Sequence, residues 1–157
     1  MADAKVPDRS VKIGDKNQIV NSPIVTGDGN TVTVGSPMRS LSDRELAGLS
    51  DVLVPFPGQP VHLLTGFFDA EGQHFAKQFN DAFKSAKWNV VEFMFQADLP
   101  KGTEIGLWMG TKDKNNQPPA ALALGRYLLG TLHLSVQGIE FTDAEAGHVY
   151  LIVGLKP

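Results

Sequence analysis

The first forty residues contain no Phe, Trp, Tyr or Leu, although the 157-residue chain has nine Phe, two Trp and two Tyr. A segment so poor in large side chains buries little apolar surface, and it cannot offset the entropy lost on ordering unless it lies against another surface. The segment is nevertheless patterned. G-D-x-N occurs at residues 14–17 and again at 27–30, with Val, Ile and Thr on both sides. Because Gly, Asp and Asn suit tight turns and β-branched residues suit strands, residues 1–36 are predicted to form two short strand–turn–strand rungs.

Two rungs are fewer than the three or more that repeat architectures usually need for stability. The missing rungs can come from other copies of the chain, the segment can pack on its own chain, or it can stay disordered. In-register copies would also align Asn side chains in ladders. We expect assembly between copies, so the predicted partner of the chain is itself, as a homo-oligomer or filament. The predicted assembly residues are Ile13, Asn17, Ile19, Ile24, Val25, Asn30, Val32 and Val34.

Residues 37–59 are predicted to be a linker that contains one short helix. Ser42 and Glu45 have the spacing of a capping box, which predicts a helix from about Asp43 to Leu53. The sequence Pro-Phe-Pro-Gly at 55–58 ends it.

Residues 60–157 are predicted to form an α/β domain with the order β-α-β-β-α-β-β, although an α+β arrangement stays open. The clearest element is a helix that begins at Glu71, whose apolar residues recur at spacings of three and four. Residues 88–95 predict a strand that is apolar on both faces. The other predicted elements are strands at 61–65, 104–111 and 148–153, a strand that begins at 134 and ends at 136 or 141, and a helix at 118–132.

Composition and motifs argue against several classes of function. The net charge of −3 has the wrong sign for a general nucleic-acid binder, and the absence of cysteine excludes disulfides and thiolate metal sites. No apolar run is long enough for a transmembrane helix or a signal peptide, so the expected location is the cytoplasm. The histidines are scattered and no catalytic motif is present, so we predict no catalytic residue, metal or cofactor. An enzyme of unknown class stays a remote alternative.

Two loops that leave strands and enter helices form a candidate ligand site. If their strands are parallel neighbours, both loops lie at one edge of the sheet, where ligands of open α/β sheets collect. Helix N-termini attract anions, and two lysines add positive charge, so the predicted ligand is a phosphate-bearing small molecule such as a signalling nucleotide. Two acidic residues, Asp69 and Glu71, oppose an anion, and a solvated turn is the plain structural alternative. The predicted ligand residues are Thr65, Gly66, Asp69, Thr111, Lys112, Lys114 and Asn116.

Three stretches in residues 60–157 carry a resemblance: FDAEGQHFAKQFNDAFKSAKWNV, PPAALALGRYLLGTL and the terminal YLIVGLKP. They resemble a small α/β domain of uncharacterised bacterial proteins, which is often found beside transmembrane helices. This chain departs from that pattern in having no membrane segment. Its leading repeat resembles the Gly/Asn-rich β motifs attached to bacterial signalling and defence proteins. The resemblance implies a sensor or effector-like module, so we expect a non-enzymatic assembly and signalling protein, with a nucleotide sensor as the alternative.

Overall fold

A computed structural model describes residues 38–157, and the eight predicted assembly residues lie outside this part of the chain. The helices are α1 (Asp43–Leu53), α2 (Ala70–Ser85) and α3 (Pro119–Gly130). The strands are β1 (Pro60–Gly66), β2 (Asn89–Gln96), β3 (Leu107–Thr111), β4 (Val136–Glu140) and β5 (Val149–Val153). The predicted α/β class and the predicted order of elements after residue 60 are confirmed.

The five strands form one mixed sheet in the order β2-β1-β5-β3-β4. β1 runs parallel to both β2 and β5, whereas β3 runs antiparallel to β5 and parallel to β4. The sheet therefore consists of two β-α-β units that point in opposite directions on either side of β5. Since β-α-β crossovers are right-handed, a half-turn about an axis perpendicular to the sheet relates the two units, and both place their helix on the same face.

The core lies between this face of the sheet and the helices. Val61 and Leu63 of β1 belong to the core cluster, together with the α2 stripe of Phe75, Phe79 and Phe83. These side chains are at most 1% exposed, as expected for an amphipathic helix lying on a sheet. Alternation along β1 turns His62 to the opposite face, which we call the open face of the sheet.

Both N-terminal helices begin at side-chain caps. Ser42 accepts a hydrogen bond from the backbone N–H of Glu45, and the Glu45 carboxylate accepts one from the backbone N–H of Ser42, so the predicted capping box is confirmed. α2 begins one residue earlier than predicted, because the carboxylate of Asp69 caps it by accepting from the N–H of Gly72 at 3.0 Å.

The β2–β3 connection is fixed against the end of β5 by a close backbone approach. The N–H of Gly154 donates to the carbonyl of Gly106 at 2.8 Å, and the N–H of Leu155 donates to that of Glu104 at 2.8 Å. A Cβ atom at position 154 would lie 2.7 Å from the Glu104 carbonyl oxygen, closer than real contacts allow. Glycine at this position therefore lets the connection lie beside β5 at the edge of the sheet.

The apolar pattern of residues 88–95 correctly predicts a strand but does not disclose its place in the sheet. β2 stands at one edge of the sheet, and most of its residues are exposed. Trp88, placed at the start of this strand by the sequence pattern, precedes it. Its ring stacks on Phe83 and its indole N–H donates to the Leu53 carbonyl at 3.0 Å. Among residues 38–157, no helix is long and apolar enough to cross a membrane.

Candidate functional site

The two predicted ligand loops lie at opposite ends of the strands of the sheet. The prediction that they lie side by side required β1 and β3 to be parallel neighbours, and this premise is wrong. β5 lies between the two strands and β3 runs against it, so Leu107 at the start of β3 is level with Thr65 near the end of β1. Thr111 lies four residues further along, roughly 13 Å away in the strand direction. Thr65, Gly66 and Asp69 are therefore separated from Thr111, Lys112, Lys114 and Asn116.

The first loop lines a pocket of about 340 Å³ at the carboxyl ends of β1 and β2. This is the kind of edge at which α/β sheets bind ligands. The β1–α2 loop forms one wall of the pocket, and the β2–β3 connection together with Leu155 forms the other. We call it the carboxyl-edge pocket; its lining residues are Gly66, Phe67, Phe68, Asp69, Ala97, Asp98, Leu99, Lys101, Glu104 and Leu155.

Several apolar side chains of this pocket are exposed to solvent. Phe68 is 89% exposed, and Phe67 and Leu155 are each more than half exposed. The two phenyl rings pack edge-to-face with centroids 5.1 Å apart. Phe67 is held in place by its backbone, because its N–H donates to the Gln96 carbonyl at 2.8 Å and its carbonyl accepts from the Gln73 amide at 2.6 Å.

The rim of the pocket is acidic. Asp69, Asp98 and Glu104 face a single basic residue, Lys101, and none of the four forms an ion pair within the described residues. The pKa of Glu104 is lowered, chiefly because its carboxylate accepts a hydrogen bond from the backbone N–H of Gly102. The rim therefore carries net negative charge, opposite to what a phosphate ligand needs.

The start of α2 already holds a carboxylate. One oxygen of Asp69 caps the helix, while its Oδ2 is buried and has no hydrogen-bond partner among the described residues. The buried Thr65 hydroxyl is also without a partner there, and both atoms lie beside Gly72. Because the side chain of Asp69 occupies the helix N-terminus, an anionic ligand would meet a negative charge at this position.

The second loop lines a separate pocket of about 430 Å³ at the opposite edge, together with residues of the β4–β5 loop. Thr111, Lys112 and Asn116 line it, whereas Lys114 does not. The loop is organised by its own hydrogen bonds. The Asp113 carboxylate accepts from the N–H of Asn115 at 2.8 Å, and the Thr111 hydroxyl donates to the Asp113 carbonyl at 3.2 Å. These contacts are typical of a self-contained Asx turn.

The structure brings together a histidine pair that the sequence reading regarded as scattered. His62 Nε2 lies 2.9 Å from His148 Nδ1 on the open face of the sheet. His62 Nδ1 lies 3.1 Å from the carboxylate of Glu92, and His148 Nε2 lies 3.1 Å from that of Glu145. The ring of Tyr150 stacks on His62 with centroids 4.3 Å apart, and its pKa is raised by burial and by the two nearby carboxylates.

These contacts form a row of polar groups in the order Glu92, His62, His148 and Glu145. A hydrogen bond between the two rings needs one nitrogen as donor and the other as acceptor. One sequence signal was present, namely that His62 and His148 stand near the starts of strands. Their contact depends on β1 and β5 being neighbours, which chain order does not disclose.

The unpaired side of β2 is the third surface of interest. Val91 and Phe95 are 44% and 46% exposed, and Met94 is also exposed. β2 has eight residues, one of them charged, and among the described strands it pairs only with β1. An exposed and apolar edge is a template for pairing with another strand.

Within residues 38–157, no group of three or more potential ligands is placed to hold a metal ion. The described sites thus consist of a pocket with apolar walls and an acidic rim, a basic loop with its own internal hydrogen bonds, a pair of histidines in contact and an unpaired strand edge. The resemblance drawn from the sequence stays a prediction, since the chain matches no protein-family model, no curated protein and no solved structure.

Proposed function

We propose that this chain is a non-enzymatic module that assembles with copies of itself and displays its α/β domain as a sensor or effector-like unit. The N-terminal repeats join copies, as their sequence predicts, and the free edge of β2 supplies a second contact. The observation that carries the proposal is this edge. The longest strand of the described sheet offers unpaired backbone groups beside exposed apolar side chains.

β2 lacks most of the devices that keep edge strands from pairing, although its register against β1 shifts between Val90 and Glu92, as at a β-bulge. Such edges are usually short, or carry Pro, Lys or inward-pointing charges. β2 has neither Pro nor Lys, and Glu92, its single charged residue, is engaged with His62. The opposite edge differs, because β4 has only five residues and exposes Gln137, Gly138 and Glu140. The two edges are thus unequal, and β2 is the one suited to a partner strand.

A second copy of β2 suits this edge when the two strands pair antiparallel about a twofold axis through Phe93. In this register Glu92 lies opposite Met94 of the other copy, so the two carboxylates do not face each other. Val91, at which the register against β1 shifts, then lies near Phe95 of the other copy. A contact of this size is weak alone, but joining copies through residues 1–36 would raise the effective concentration of β2 edges.

Light scattering of the full chain tests the proposal. We expect wild type to be larger than a monomer, and the double variant Val91→Lys with Phe95→Lys to give a smaller particle, because like charges would meet across the edge. The matched control is Leu122→Lys with Leu129→Lys, two α3 side chains that are 44% and 52% exposed. It adds the same charge away from β2 and should leave the particle size unchanged. A monomeric wild type, or equal particle sizes for the two variants, would overturn the proposal.

A further inference from the structure

We propose that the carboxyl-edge pocket binds a small organic cation, an amine or guanidinium joined to an apolar or aromatic body. This inference goes beyond self-assembly, because it concerns a different surface and a different class of partner. It also differs from the phosphate-bearing ligand expected from the sequence, since the acidic rim is accompanied here by only one lysine.

The walls of the pocket suit the apolar body of such a ligand. The pocket is lined by three large apolar side chains, those of Phe67, Phe68 and Leu155. They are exposed to solvent, although side chains of this size are normally buried. Exposed apolar groups gathered around a concave surface mark ligand sites more reliably than single exposed side chains do. The volume of about 340 Å³ lies near the lower end of small-molecule sites, which indicates a compact ligand.

The rim of the pocket suits a positive charge. Three carboxylates and one ammonium leave a net charge of −2 around the opening. Asp98 and Glu104 reach it from the β2–β3 connection and Asp69 from the start of α2, so two elements surround the hollow with negative charge. None is neutralised by an ion pair within residues 38–157. A cation would also be attracted to the exposed phenyl faces.

The charge of the ligand can be tested with three probes that share one ring. The probes are 2-phenylethylammonium, the neutral 2-phenylethanol and the anionic phenylacetate, each titrated calorimetrically into the full chain. We expect the cation to bind about tenfold more tightly than the alcohol, from charge attraction and cation–π contact together. Phenylacetate should bind more weakly than the alcohol. Equal affinities for the three probes, or no binding of the cation, would overturn the proposal.

Two variants assign the binding to this pocket. Asp98→Asn with Glu104→Gln should reduce the preference for the cation to about threefold or less while leaving the alcohol unaffected, because only charge is removed. Asp113→Asn with Glu140→Gln removes the same charge at the opposite edge of the sheet and should change nothing. All four residues are exposed, so the fold should tolerate these changes. Loss of the preference in the second variant, or its retention in the first, would place the cation elsewhere and contradict the inference.

Discussion

Arg39 ties the first described residues to two elements of the domain through one guanidinium. It pairs with both carboxylate oxygens of Glu71, with Nη2 to Oε2 at 2.6 Å, and the same Nη2 donates to the Gly154 carbonyl at 2.7 Å. The guanidinium also lies over the ring of Phe75, 5.3 Å from its centroid. Because both side chains are largely buried, at 13% and 18% exposure, solvent screens this pair less than an ordinary surface ion pair.

The first prediction follows from the pKa of Glu71, which hydrogen bonds from Arg39 lower below its usual 4.5. A lowered folded-state pKa stabilises the domain above about pH 4.5, and that stability is lost as the pH falls through the folded-state value. Glu71→Gln should therefore lower the free energy of unfolding by about 1–3 kcal/mol at pH 7. The deficit should shrink towards zero at strongly acidic pH. Urea unfolding at several pH values measures it, and a deficit independent of pH would contradict the assignment.

Sequence reasoning at this scale found local contacts and missed those between distant residues. The capping box of Ser42 and Glu45 was predictable because a three-residue spacing determines it. Arg39 carried no signal, since its partner Glu71 is 32 residues away. The contact between His62 and His148 spans 86 residues and was hidden for the same reason. Asp69 was predictable as a residue at the start of a helix, but its second, unpartnered oxygen depends on packing around Gly72.

Among the elements, β2 shows what a hydrophobic pattern leaves open. Its sequence NVVEFMFQ predicts a strand, and a strand is present. Apolar residues on both faces indicate that cover is favourable, but they do not show that the same chain provides it. In the described domain Val90 and Phe93 pack against the core, whereas Val91 and Phe95 remain exposed. A second copy would reconcile the sequence pattern with the structure.

The helix α1 yields the second prediction. It packs on α2 and α3, and its backbone is held from the other side by the Tyr127 hydroxyl, which donates to the Glu45 carbonyl at 3.0 Å. Ser42→Ala removes the side-chain acceptor at the first turn and should cost about 1 kcal/mol of unfolding free energy, measured by urea titration. Ser85→Ala, at the exposed last residue of α2, serves as the control and should change stability by less than about 0.5 kcal/mol. Equal effects of the two substitutions would show that the cap contributes little.

At the scale of the whole molecule, the position of β5 determines which loops lie together, and the sequence does not predict this position. Chain order correctly predicted an α/β domain with two β-α-β units. The last strand, however, lies in the middle of the sheet and pairs with β1 in one direction and with β3 in the other. Neither pairing is encoded in the spacing of motifs. The loops around Asp69 and Lys112 therefore stand at opposite edges, and the carboxyl-edge pocket is completed by the β2–β3 connection, which carried no motif.

The last prediction concerns the deletion of residues 1–36. Residues 38–157 bury a core of their own that joins all three helices to one face of the sheet, so the shortened chain should still unfold cooperatively in urea. The deleted segment has too few large apolar side chains to fold alone, and joining copies is the role that its sequence predicts. Light scattering should show that the shortened chain forms a smaller particle than wild type.

Val32→Lys with Val34→Lys in the full chain should reproduce that decrease, because buried charge opposes stacking of the predicted rungs. If the deletion leaves particle size unchanged, the repeats do not join copies, and any assembly must come from the edge of β2 alone.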